Sequence, residues 1–256
     1  MPVIPADRQR QIIEIINRDT VVNVNELSAL FQVSELTIRR DLDALAKRGL
    51  VERTHGGALQ RRVLPVEPAY SEKSQKQREQ KISIAKRAVE FIEDGDTVFI
   101  NSGSTTFEVI RALKGKRITI VTNNIDAVRV VDESSQFSLI LLGGVYRMRS
   151  HSVSGGMSEP VLSQVYANKA VIGVDGCSIS EGLTTPIIEE AQTTREMIER
   201  TVGPVIVVAA GNKIGVVSNY VTVGIDEIDV LITDESGRKM LSPKDFVQRK
   251  IELVIA

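Results

Sequence analysis

Two groups of residues in this chain could do chemistry on a charged partner. The run Asn101-Ser102-Gly103-Ser104-Thr105-Thr106 sets four hydroxyl side chains and a glycine between a β-rich stretch and a helical one. Such a turn offers hydroxyls and free N–H groups at a helix N-terminus, which together cradle an anion. It also fits a plain helix cap. The run lacks the Gly-Lys-Ser/Thr ending of a nucleotide P-loop and the glycine spacing of a dinucleotide fingerprint. The second group is Arg39, Arg40, Lys47, Arg48 and Arg53, crowded into one short stretch. Clustered bases suit the phosphates of a nucleic acid, although such a run taken alone is a solvated helix face.

The elements around the bases sharpen that choice. Ile12, Ile13 and Ile16 recur at helical spacing and predict a first helix over 6–18. Asn25 is placed to cap a second helix carrying Leu27, Leu30 and Phe31. Ser34 is placed to cap a third, carrying Ile38, Leu42 and Leu45, which Gly49 ends. Gln32 and Val33 alone join the last two, the tight connection of a helix-turn-helix whose second helix enters the major groove. Leu50 to Leu59, bending at Gly56 and Gly57, reads as a hairpin or wing. Thr37 and Arg40 lie off the apolar stripe and are best placed for base edges or adjacent phosphates, with Lys47, Arg48 and Arg53 on backbone phosphates. Ser34 reads equally as N-cap or DNA contact. Arg39 reads as a DNA contact or as a scaffold partner of Asp41 or Asp43, and His55 as a wing contact or a packed turn residue.

Around Pro65 and Pro68 the helical periodicity lapses, which predicts a division into 1–60, a linker over 61–73, and a larger domain over 74–256. A helix resumes at about Ser74 with Ile82, Ala85, Val89 and Ile92 as its apolar stripe. Its bases, including Lys73, Lys76 and Lys81, read as solvated surface rather than as a coupling device. After Asp96, β-rich runs alternate with helical stretches at 97–100, 118–121, 139–142, 170–174, 205–209 and 230–233, with 251–255 as a further edge strand. That alternation predicts an α/β domain with a mainly parallel sheet. Ligands of such sheets collect beyond the carboxyl ends of the strands. Besides the hydroxyl-rich turn, Thr122-Asn123-Asn124, Gly143-Gly144 and Lys213 fall there, each of them ordinary as a loop residue when taken singly.

The order of these residues carries a resemblance. Ser34-Glu35-Leu36-Thr37-Ile38-Arg39-Arg40-Asp41-Leu42, followed by Leu45, Gly49, Leu50, Val51, Arg53 and His55-Gly56-Gly57-Ala58, resembles the DNA-binding signature of the DeoR family of repressors. The later series at 103–106, 121–124, 141–144, 172–176, 182–185 and 212–215 is similar to that family's sensor half, whose fold resembles ribose-5-phosphate isomerase. The resemblance covers nearly the whole chain. It implies a winged helix-turn-helix on double-stranded operator DNA, a phosphorylated sugar as effector, a homodimer or homotetramer, and no cofactor. It also implies that Ser102, Gly103, Ser104, Thr105 and Thr106 hold the phosphate, with Asn123, Gly144, Asp175 and Lys213 near the sugar. Asn101 and Ala210 stand where the family often has aspartate, which implies altered contacts to sugar hydroxyls.

Composition sets the outer limits. The 256 residues, 42% hydrophobic and 25% charged, are ordinary for a globular protein. No apolar run approaches the roughly 20 residues that span a bilayer, and the polar N-terminus is unlike a signal peptide, so a cytoplasmic location is expected. One cysteine, Cys177, and two histidines leave no basis for a disulfide or a zinc cluster. Two rival functions are an isomerase-like enzyme and a DNA-binding protein indifferent to small molecules. The first needs a base and a second group for the enediolate charge; Asp175 is the one carboxylate suitably placed, and no catalytic residue is expected.

Overall fold

The computed structural model describes residues 4–60, 62–63 and 69–256, so Pro65 and Pro68 of the expected linker lie outside the described residues. No described helix is long and apolar enough to cross a membrane.

Helix α1 (Pro5–Asp19) opens with a proline in its first turn, and its Ile12 and Ile16 are buried. Strand β1 (Val21–Asn23) leads into α2 (Val24–Phe31) and α3 (Glu35–Lys47). Asn23, not Asn25, caps α2; its side chain accepts from the Asn25 N–H. The helix begins two residues earlier than a cap at Asn25 implies because Val24, 1% exposed, belongs to the core. Strands β2 (Val51–Thr54) and β3 (Gly57–Gln60) form the wing and, with β1, an antiparallel sheet in the order β1-β3-β2. Gly57 is obligatory in that sheet: a Cβ there would lie 1.9 Å from the Val22 carbonyl oxygen. Ile38, Leu42 and Leu45 of α3 meet Ile12, Ile16, Val24, Leu27 and Val51 in one apolar cluster, so the helix-turn-helix has its own core.

The chain continues through β4 (Arg62–Val63), α4 (Tyr70–Gln75) and α5 (Arg78–Val89). Where one helix was expected from Ser74 there are two, divided at Gln77, whose φ of 53° is left-handed. The buried face of α5 is Lys81, Ile84, Ala85 and Ala88 rather than a stripe through Ile82. Next come β5 (Thr97–Ile100), α6 (Ser104–Ala112), β6 (Thr119–Thr122), β7 (Ser138–Leu141), the hairpin β8 (Val145–Arg147) and β9 (Ser152–Ser154), α7 (Glu159–Leu162) and β10 (Lys169–Gly173). The remainder comprises β11 (Gly176–Ser178), β12 (Gly182–Thr185), α8 (Ile188–Glu199), β13 (Val205–Val208), β14 (Val216–Val217), β15 (Tyr220–Val223), β16 (Val230–Thr233), α9 (Glu235–Arg238), α10 (Pro243–Arg249) and β17 (Glu252–Ile255).

Seven strands form the expected parallel sheet, in the order β17-β16-β13-β10-β5-β6-β7. Alternate residues bury on opposite faces: Phe99, Val121, Ile172, Val207 and Leu231 in one core, Val98, Ile100, Ile120, Val171 and Ile206 in the other. Burial on both faces is why these strands read as unbroken apolar runs. The small antiparallel sheet β11-β12-β15 has no counterpart in the sequence reading, because strands of three or four residues are too short to show an alternation. From β5 the chain winds outward through β6 and β7, then returns to place β10 on the other flank of β5. That reversal opens a crevice beyond the carboxyl ends of β5 and β10.

The wing rests on the α/β half. The Ile179 N–H donates to Glu52 Oε1 at 2.5 Å, and the His55 N–H to Asp245 Oδ2 at 3.0 Å. Strand β4 pairs in parallel with β14, and Leu59 packs so closely on Gly215 that a Cβ there would lie 2.2 Å from Leu59 Cδ1.

Candidate functional site

The crevice at the strand reversal holds a cavity of about 240 Å³. Ser102, Gly103, Ser104 and Thr105 form one wall, Gly173 to Asp175 a second, and Asn212 with Lys213 a third. These are the turns after β5, β10 and β13, brought together by the strand order. Helix α6 starts here with no side chain capping it, so the N–H groups of its first turn face the cavity side with the positive end of the helix dipole.

The loops are locked from behind. Asn101, 6% exposed, joins β5 to β10: its amide donates to the Gly173 carbonyl at 2.9 Å and to Thr194 Oγ1 at 3.2 Å, and its oxygen accepts from the Gly173 N–H at 2.8 Å. An ionised aspartate could accept from the N–H but could not donate to the carbonyl; the asparagine serves both. Asn123 accepts from the Ser102 N–H at 2.7 Å and donates to the Val153 carbonyl at 3.1 Å.

Three of the nine residues expected at the effector lie elsewhere. Asn123 is buried behind the turn as its brace and does not line the cavity. Thr106 is fully buried and donates from its hydroxyl to the Gly103 carbonyl at 3.1 Å, an internal cap. Gly144 has a φ of 146° and would place a Cβ 2.6 Å from the Ser154 carbonyl oxygen, so it serves the close approach of β9. The expected residues that do line the cavity are Ser102, Gly103, Ser104, Thr105, Asp175 and Lys213.

The structure adds Tyr70, to which the sequence reading gave no role, and two lysines that it placed at the surface. Tyr70 and Lys73 of α4 and Lys81 of α5 line the same cavity. Lys73 Nζ lies 2.8 Å and Lys213 Nζ 3.2 Å from Asp175 Oδ1. Lys81 is 6% exposed and donates to the Lys73 carbonyl and, at 2.7 Å, to the Lys76 carbonyl, tying down the last turn of α4. Burial pushes the Lys81 ammonium down to about 8, helped by Lys213 and Lys73 and opposed by Glu108. Burial likewise lowers Lys213, against the pull of Asp175. Burial would raise the Asp175 carboxyl, but Lys73 and Lys213 outweigh it and hold the group below its ordinary value. A carboxylate so held is a counter-ion rather than a ready proton acceptor. A signal for these lysines was present: they are spaced along one basic stretch beside the linker. Nothing local distinguished it from a solvated helix.

The second surface is α3. Ser34 caps it, accepting from the Thr37 N–H at 3.2 Å and meeting the Thr37 hydroxyl at 2.9 Å, which favours the scaffold role for Ser34. Arg40, Lys47 and Arg48 are exposed and form no ion pair among the described residues. Arg39 reaches Glu35 at 3.5 Å across one turn; Asp41 and Asp43, its expected partners, are taken by Arg8 at 2.6 Å and Arg53 at 2.8 Å. Arg53 also donates to the Gly57 carbonyl, so two of its nitrogens, Nε and Nη1, are engaged in bracing the wing. His55 faces Asp245 of α10, because the wing is folded back against the α/β half.

Comparison with known proteins agrees with this division of labour. Residues 8–61 match the DeoR-like helix-turn-helix domain and residues 76–235 the DeoR C terminal sensor domain. The chain is 35% identical to the HTH-type transcriptional regulator GlpR of Haloferax volcanii, over 91% of each chain. It is 36% identical to the lactose phosphotransferase system repressor of Lactococcus lactis, over 64% of this chain and 66% of that one. Among solved structures, ribose 5 phosphate isomerase A from Neisseria gonorrhoeae aligns over 54% of both chains at 17% identity and a TM-score of 0.41. The sequence relatives are regulators of transcription, not enzymes.

Proposed function

Since the chain belongs to the DeoR family of helix-turn-helix transcriptional regulators, we propose that it represses a carbohydrate-utilisation operon in the cytoplasm under the control of a phosphorylated sugar. In this reading residues 1–60 grip double-stranded operator DNA through Thr37, Arg40, Lys47 and Arg48. Residues 61–73 connect, and residues 74–256 sense the effector. A homodimer or homotetramer presents paired reading helices to a two-fold operator.

The observation that carries the effector assignment is the convergence of an uncapped helix N-terminus, the three hydroxyls of Ser102, Ser104 and Thr105, and lysine ammonium groups on one cavity of sugar-phosphate size. Backbone N–H groups and ammonium groups together supply both the dipole and the charge that a phosphomonoester requires. The polar groups deeper in the cavity, among them Thr184, Thr194 and Glu190, suit hydroxyls of a sugar. Control follows if the effector binds the DNA-competent and DNA-incompetent arrangements with different affinity.

Operator titrations by fluorescence anisotropy, run with and without a panel of sugar phosphates, test this. One of the panel should shift operator affinity in the wild type, and the double change Ser104→Ala, Thr105→Ala should blunt that shift while leaving effector-free DNA binding intact. Operator affinity indifferent to every phosphorylated sugar and polyol would remove the sensor assignment.

A further inference from the structure

Asp175 holds two lysines from different parts of the chain through a single oxygen. Lys73 and Lys213 both contact Oδ1, at 2.8 Å and 3.2 Å, while Oδ2 meets the Thr185 hydroxyl at 3.5 Å. The three side chains are 15%, 19% and 13% exposed for Lys73, Lys213 and Asp175, so the cluster is largely withdrawn from water yet lies on the cavity wall. Lys81 adds a third ammonium to the same wall. Lys73, Lys81 and Lys213 therefore gather around the Asp175 carboxylate at this corner, and the exposed Lys76 and Glu72, of opposite charge, also line the cavity. The other buried acid of the cavity, Glu190, is engaged elsewhere, by the Ser152 hydroxyl at 2.9 Å and Arg147 at 3.6 Å. A phosphomonoester dianion would bring two charges where Asp175 brings one.

Taking the cavity as the anion site proposed above, we infer that Lys73 is a ligand of the effector phosphate, and that Asp175 is the internal carboxylate which the arriving phosphate displaces from Lys73 and Lys213. Lys81 is a positioning residue here, since its ammonium holds the carbonyls of Lys73 and Lys76 and so fixes the turn from which Lys73 reaches. The exchange matters because of where Lys73 sits. Helix α4 lies on the stretch of chain that joins the DNA-binding half to the sheet. It is anchored at its start by Tyr70, which stacks on His151 with ring centroids 4.5 Å apart and donates its N–H to the Arg149 carbonyl at 2.8 Å. A phosphate that takes over Lys73 changes the partner of the connecting segment itself.

The test is calorimetric titration of the full-length protein with inorganic phosphate and, separately, with a pentose phosphate, in a buffer free of other oxyanions. The proteins compared are the wild type, Lys73→Met, Asp175→Asn, and Ser104→Ala with Thr105→Ala, each checked for a cooperative thermal transition above the temperature of the titration. Lys73→Met should weaken phosphate about tenfold, the loss of one charge-assisted hydrogen bond, and Asp175→Asn should tighten it. Undiminished affinity in Lys73→Met, or weaker binding in Asp175→Asn, overturns the exchange. If the hydroxyl double variant loses phosphate while Lys73→Met does not, the cavity remains an anion site and the Lys73 assignment alone falls. A wild type that binds neither probe ends both. Acetylation of Lys73 in the wild type, followed by mass spectrometry, gives a readout independent of variant folding: saturating phosphate should slow it, and an unchanged rate contradicts the inference.

Discussion

Arg8 donates from Nε to Asp41 Oδ2 at 2.6 Å, with both side chains 7% exposed, and so pins α1 to the reading helix α3. Gln9 donates to the other Asp41 oxygen at 3.0 Å. Removing one partner of a buried pair strands the other charge, which costs more than the pair contributes. Asp41→Ala should therefore destabilise the helix-turn-helix by about 3 kcal/mol, read as an earlier thermal transition. An unchanged transition would show the pair to be dispensable.

Arg40 is exposed on α3 and has no ion partner among the described residues. Arg40→Ala should weaken specific DNA binding by about 1–3 kcal/mol without moving the thermal transition. Equal loss on operator and on random duplex would assign Arg40 to the backbone phosphates instead of the base edges.

Arg53 makes the opposite case. Its guanidinium is committed to Asp43 and to the Gly57 carbonyl. Arg53→Ala should lower stability by about 1 kcal/mol and leave the salt dependence of DNA binding almost unchanged, whereas Lys47→Ala should reduce the slope of log K against log salt by about 1. Measuring both slopes side by side checks the distinction, and a slope loss in Arg53→Ala would refute it.

Glu52 is 3% exposed and accepts the Ile179 N–H across the junction between wing and α/β half. Glu52→Ala leaves that N–H without its acceptor, at a cost of about 1–3 kcal/mol to the docked arrangement. Hydrogen exchange at Ile179 should accelerate in the variant. Protection equal to that of the wild type would mean that the contact does not hold the wing.

Lys81 provides a pH test. Its ammonium is pushed down to about 8 from an ordinary 10.5, so below about 8 it is protonated in both folded and unfolded chains and the folded chain bears the full cost. Between these values the unfolded chain holds the proton and the folded chain has released it, so this contribution to stability rises with pH. The difference in unfolding free energy between wild type and Lys81→Met should move in favour of the wild type as pH climbs from about 8 toward 10.5. A flat difference over that window would place Lys81 in a more solvated setting.

Much of this architecture could be read along the chain because the signals are local. The caps, apolar spacings and two-residue turn of residues 24–47 specify a helix-turn-helix, since each depends on neighbours within a few positions. The β-rich runs from Thr97 onward specify a parallel sheet buried on both faces for a similar reason. The errors came where a local motif had several local explanations. Asn25 and Asn23 flank the same helix start, and only the burial of Val24 selects between them. Thr106 and Asn123 are polar and sit in the right loops, but their hydrogen bonds turn backwards into the scaffold.

By itself, then, the order of residues determined the helix-turn-helix, the strands of the parallel sheet and the family, and marked the hydroxyl-rich turn at 102–106 as a candidate anion cradle, because secondary structure and helix termini follow from short-range sterics and hydrogen bonding. Tertiary structure decided which side chains share a cavity. Asp175 and Lys213 are far apart along the chain and meet because β10 and β13 are neighbours in the sheet, and α4 and α5 bring Lys73 and Lys81 to the same cavity. It also decided which bases are free, since Arg53 and Arg40 differ in no way that a sequence displays. A charge faces solvent or a partner according to what the fold brings within about 4 Å of it, and that distance is set by long-range packing.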